Sequence, residues 1–85
     1  MPSLKRLVLD VLKPHLPNAL DFSLEIASIA EDYRVDIRVI EVDEKTETLQ
    51  VSIEGNQLDF ERITDMISKN GASLHSIDEV SVTGN

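Results

Sequence analysis

The chain has 85 residues, a formal net charge of −8 and no cysteine, which is the size of one domain and excludes disulfides, thiolate metal sites, iron–sulfur clusters and cysteine nucleophiles. An acidic surface of this kind repels phosphate backbones and anionic membranes and favours cations or basic partners. Aromatic side chains are only 4% of the residues, so Val, Ile and Leu are expected to fill the core of a single domain over residues 1–85.

From Leu7 to Leu12 apolar residues occupy both parities, with Leu7, Leu9 and Val11 on one side and Val8, Asp10 and Leu12 on the other. This predicts a first strand with apolar residues on both faces. Asp10 interrupts the apolar run and no small-residue cleavage site follows, so Met1 to Leu12 reads as strand rather than signal peptide. No stretch has transmembrane length, and a cytoplasmic location is the default expectation. Lys13-Pro14-His15-Leu16-Pro17 stops the strand, and Pro17 suits the first turn of a helix, where its missing N–H costs nothing. Leu20, Leu24, Ala27 and Ile29 then form the expected buried stripe of a helix reaching about Asp32.

Val35, Ile37 and Val39 alternate with Asp36 and Arg38 in a second strand. The phase slips at Ile40 and Val42, as a β-bulge between Val39 and Glu41 would produce. Asp43 to Glu47 reads as a polar turn, and Leu49, Val51 and Ile53 alternate with Gln50, Ser52 and Glu54 in a third strand, completing a hairpin. Gly55-Asn56 ends it. Asp59 is an N-cap, with Leu58 and Ile63 spaced as a hydrophobic staple. Phe60, Ile63 and Ile67 are the expected buried stripe of a second helix, flanked by Met66, and Asn70-Gly71 stops it. Leu74 to Val82 is a fourth strand with a phase break at Asp78-Glu79, and Thr83-Gly84-Asn85 is expected to fray.

Strand, helix, strand, strand, helix, strand is the split βαβ order of a ferredoxin-like α+β sandwich. Right-handed crossovers give a four-stranded antiparallel sheet of order 4-1-3-2 with both helices on one face. The expected helix–sheet core is Leu7, Leu9, Val11, Leu24, Val35, Ile37, Val51, Ile53, Ile63 and Ile67. Val8, Leu12 and Ile40 are left on the uncovered face, enough apolar surface to suggest contact with another subunit there, with edge strands two or four as the alternative.

The fold hosts enzymes, metal carriers, RNA binders and ligand-sensing modules, so function must be argued from side chains. Asp10 sits mid-strand among aliphatics, where a carboxylate needs either an ion pair, with Arg6, Arg38 or His75, or a ligand. His15 is at the end of the first strand and His75 is in the fourth; with Asp10 they are the candidate ligand-binding residues. The parity of the fourth strand leaves open whether His75 shares a face with Asp10. Asp43, Glu44 and Glu47 at one turn, and Asp78 with Glu79 at another, are candidate ligands for calcium or magnesium, with a solvated acidic turn as the alternative. Zinc is disfavoured because cysteine is absent and the histidines are far apart in the sequence. No nucleophile elbow, Walker A motif or glycine-rich phosphate loop occurs, and there are three glycines in the whole chain. Strands one and three lack the aromatics and basic surface of an RNA reader.

Four segments also carry a likeness to a known family: LVLDVLKPH at Leu7 to His15, EVDEKTE at Glu41 to Glu47 running into IEG at Ile53 to Gly55, LDFE at Leu58 to Glu61, and SLHSIDEV at Ser73 to Val80. In this order, over nearly the whole chain, they resemble the small archaeal family known as domain of unknown function two hundred and eleven. The likeness departs at Glu31-Asp32-Tyr33-Arg34, where a more glycine-rich turn is expected. The resemblance implies an archaeal source, a ferredoxin-like fold and homo-oligomeric assembly, and implies no activity. Residues and resemblance together lead to the expectation of a non-enzymatic homo-oligomeric module, regulatory in character, that binds a small ligand or divalent cation. Nucleic acid and membrane are not expected partners. The alternatives are an enzyme using Asp10 with His75 or His15 as acid and base, and an acidic adaptor for a basic protein.

Overall fold

A computed structural model describes residues 1–84. The elements are β1 (Ser3–Pro14), α1 (Ala19–Ala27), β2 (Arg34–Val42), β3 (Thr46–Glu54), α2 (Phe60–Lys69) and β4 (Ser73–Thr83). One antiparallel sheet has the order β2-β3-β1-β4, and the expected ferredoxin-like α+β sandwich is what forms. Leu7, Leu9 and Val11 of β1 pair with Ile53, Val51 and Leu49 of β3, which places all six on the helix-bearing side. Arg6, Val8, Asp10 and Leu12 face the other way, onto a sheet face that no helix covers, while a register shift between Leu4 and Arg6 returns Leu4 to the core side.

The core joins these six residues to Phe22, Ile26 and Ile29 around α1 and to Ile63 and Ile67 of α2. Val35 and Ile37 are partly buried against it. The stripe expected for α1 is corrected: Leu20 and Leu24 are 67% and 59% exposed, while Phe22 and Ile26 are fully buried. Both pairs have helical spacing, and the pair carrying the phenylalanine removes more apolar surface from water. Asn18 caps the helix by accepting from the Asp21 N–H, so Pro17 lies before the cap and not in the first turn, and the helix ends at Ala27.

In α2, Asp59 accepts from the Arg62 N–H as an N-cap, and Leu58 and Ile63 are both buried as the staple requires. Phe60 is corrected to the rim: at the first position of α2 it is 36% exposed. Gly71 ends the helix in the left-handed region at φ 76°. Gly55 marks a close approach: a Cβ there would meet Leu58 at 2.9 Å and Tyr33 at 3.2 Å. The Glu31–Arg34 segment fastens this corner, since Asp32 accepts from the Asn56 N–H and the Tyr33 hydroxyl accepts from the Asp59 N–H.

The β2 bulge falls between Val39 and Glu41, as expected, and leaves Ile40 unpaired. β4 has the expected break at Asp78 and a further one at His75. Thr83 belongs to β4 rather than to a frayed tail, and Asn85 lies outside the described residues. The expectation for Val8 is also corrected: it is only 3% exposed on the uncovered face, leaving Leu12 and Ile40 as separate exposed positions. Among the described residues, no helix is long and apolar enough to cross a membrane.

Candidate functional site

Alternation along three strands and two bulges on β4 build the uncovered face. A transverse row of register partners runs across it: Arg38 on β2, Gln50 on β3, Asp10 on β1 and Ser76 on β4. The bulge at Asp78 adds that side chain to the same face, where it accepts a hydrogen bond from the Ser76 hydroxyl. The bulge at His75 puts that residue beside Asp10 on the border of one hollow while Leu74 stays on the core side, which settles the parity that alternation left open.

Two adjoining hollows result. One, of about 260 Å³, is lined by Asp10, Ile40, Thr48, Leu49, Gln50 and Asp78. The other, of about 230 Å³, is lined by Asp10, Leu12, Thr48 and His75. Asp10 and Thr48 border both. Among the described residues, no hydrogen bond or ion pair engages the Asp10 carboxylate. The ion pairs considered for it do not form: Arg6 is held by Glu54 at 2.8 Å and Glu79 at 3.0 Å, and that double engagement, Glu79 first, raises its pKa.

His15 lies elsewhere, on the helix-bearing side, at a cluster the sequence did not announce. Lys13, expected as part of a strand stop, is fully buried at the end of β1. Its ammonium donates to the carbonyls of Pro14, at 2.8 Å, and Pro17, and sits 3.1 Å from Glu47 Oε1. Glu47, a β3 residue rather than a turn residue, also meets His15 Nδ1 at 3.3 Å through Oε2, and His15 Nε2 lies 3.1 Å from the Glu44 carbonyl oxygen. Lys13 and then His15 hold Glu47 below the usual carboxylate range, and Glu47 with the Glu44 carbonyl raises His15. Asp43 accepts from the N–H groups of Thr46 and Lys45 and from the Thr46 hydroxyl, and these bonds lower its pKa. The Asp43 and Glu47 carboxylates thus organise this end of the molecule from within. Among the described residues, no three His, Asp or Glu groups converge as a metal cage, at this turn or at Asp78 and Glu79.

The geometry therefore brings Asp10, His75 and Asp78 to one face and gives His15 and Glu47 to the Lys13 cluster. A period-two reading could not place Asp78 and His75, because bulges suspend that period. Thr48 and Gln50 were legible only as polar positions of the third strand.

Comparison with known proteins identifies a family and adds no activity. The chain is 46% identical over 80 residues to an archaeal relative, Uncharacterized protein MJ0319 of Methanocaldococcus jannaschii, covering 94% of this chain and 82% of that one. Residues 5–85 match the model of the DUF211 family, described as Uncharacterized ArCR. With a family match over almost its full length, the chain belongs to the DUF211 family.

Proposed function

We propose that this chain is a non-catalytic module that assembles with copies of itself and holds a small ligand or divalent cation on its uncovered sheet face, in a regulatory capacity. The observation that carries the reading is Asp10, a half-buried residue whose carboxylate is open to water, unengaged by any side chain among the described residues, and shared by two hollows. Its oxygens stay open to water, and a cationic group seated on them would meet a negative charge that no hydrogen bond or ion pair compensates among the described residues. The net charge of −8 favours such a ligand.

Self-assembly is supported by the opposite side of β4. Ile77, Val80 and Val82 pair with Leu9, Leu7 and Leu4 and so share the helix-bearing side, yet they are 47%, 54% and 54% exposed. β1 and β4 are the longest strands of a molecule 45 Å long, and α2 is too short to cover them to the end. An unpaired edge strand bearing an apolar row is a natural contact for a second copy. This moves the expected contact from Val8 and Ile40 to the β4 edge, one of the alternatives above.

Thermal denaturation with calcium, magnesium and putrescine, on wild type and Asp10→Asn, tests the ligand reading. A ligand at a hundred times its Kd adds about 2.7 kcal/mol to stability. A rise in Tm present in wild type and lost in the variant supports the site; equal curves for both proteins with every probe count against it. A second reading, acid–base catalysis by Asp10 and His75, is favoured by their place on one hollow. Turnover of a ligand found this way would promote it.

A further inference from the structure

Most charged groups of the uncovered face are engaged within it. Arg6 is engaged by Glu54 and Glu79, Asp36 by Arg34, and Asp78 by the Ser76 hydroxyl. Among the described residues, Asp10, Arg38 and Glu41 have no such partner; Asp10 and Arg38 are one negative and one positive group on the same transverse row, separated by Gln50, while Glu41 stands one row away beside Thr48. Two strand spacings put their Cα atoms about 10 Å apart. Gln50 borders both the hollow that contains Asp10 and a polar hollow that contains Arg38, Arg6, Asp36 and Ser52. Its amide can donate toward one end and accept from the other. Ile40, raised on the β2 bulge, and Leu12 supply apolar wall beside Asp10.

We infer that the ligand of this face is a free α-amino acid with an aliphatic side chain. Its ammonium lies on Asp10, its carboxylate reaches Arg38 across Gln50, and its side chain rests against Ile40 and Leu12. A zwitterion matches the pair in sign and order, where a bare divalent cation leaves Arg38 unused and meets no third carboxylate among the described residues. Arginine suits the carboxylate end because its planar fork binds carboxylates in two places. This inference rests on reading the hollows around Asp10 as a ligand site.

Calorimetric titration of the full chain with L-leucine tests it, alongside leucine methyl ester, which has no carboxylate, and 4-methyl-2-oxopentanoate, which has no ammonium. Saturable leucine binding is expected. Asp10→Asn and the exposed Arg38→Gln are each expected to weaken it about ten- to hundredfold, the worth of one hydrogen bond to a charged group. The ester should bind weakly, with the same affinity for wild type and Arg38→Gln, and the oxo acid should bind more weakly than leucine. Leucine binding that ignores both variants overturns the inference, as does absence of leucine binding at millimolar concentration. If calcium or putrescine then binds in an Asp10-dependent way, the hollow is a site for another ligand and only the zwitterion assignment fails. If none of the probes binds, both readings fail.

Discussion

Lys13 and Glu47 face each other across β1 and β3 as register partners, with the ammonium 3.1 Å from the carboxylate although the lysine is wholly buried. The lysine also gathers the Pro14 and Pro17 carbonyls, so one side chain ties the β1–α1 loop to the start of β3. Removing one partner of a buried pair costs about 3–5 kcal/mol. The Glu47 side chain is 17% exposed and can regain some hydration, so Lys13→Met is expected near the lower end. Urea unfolding measures this; a loss below about 1 kcal/mol, the scale of a surface pair, would contradict the buried role.

The same cluster makes stability depend on pH. The pKa of His15 is raised in the folded state, so its contribution is complete below its ordinary value of 6.5 and is lost as pH rises through the folded value. The pKa of Glu47 is lowered, so its contribution is complete above its ordinary 4.5 and is lost as pH falls through the folded value. His15 is 41% exposed and solvent screens the interaction, so the effect is modest. The Tm difference between wild type and His15→Gln should be largest at about pH 5–6 and shrink above pH 8. A difference that grows with pH would have the wrong sign.

The phase of α1 is tested by two truncations. Phe22→Ala should cost about 3–5 kcal/mol, in keeping with its complete burial. Leu24→Ala, at a position 59% exposed, should stay within about 0.5 kcal/mol in the dissociated chain. The reverse order in denaturant melts would restore the Leu20–Leu24 stripe to the core.

That helix shows where sequence reading succeeds and stops. Leu20, Phe22, Leu24 and Ile26 offer two stripes of equal spacing, and only packing against the sheet chooses between them. The strands were legible because Leu49, Val51 and Ile53 alternate with polar residues, and α2 because Asp59, Ile63 and Gly71 mark its start, face and end. Asp10 stood out as a carboxylate among aliphatics. Its unengaged state was not legible, because Arg6 could have paired with it and is instead held by two glutamates from neighbouring strands. Lys13 was hidden for a related reason: a lysine before proline looks like a strand end, and its four-carbon stem lets the ammonium turn back under the loop.

Assembly is expected to run through the β4 edge. Val80→Glu together with Val82→Glu places two charges on the apolar row at positions 54% exposed, so the subunit fold should survive. Light scattering should show wild type above the monomer mass at micromolar concentration and the double variant at it. An oligomer that persists in the variant would move the contact to another surface.

The ligand reading meets its most direct test in amide chemical-shift mapping of the full chain, titrated separately with L-leucine, putrescine and calcium. With one of these probes, saturable shifts are expected at Asp10, Thr48, Gln50 and His75 on the uncovered face, and they should vanish in Asp10→Asn. Shifts confined to the Lys13–Glu47 end or to the helices, or no saturable shift with any probe, would contradict a ligand site on this face.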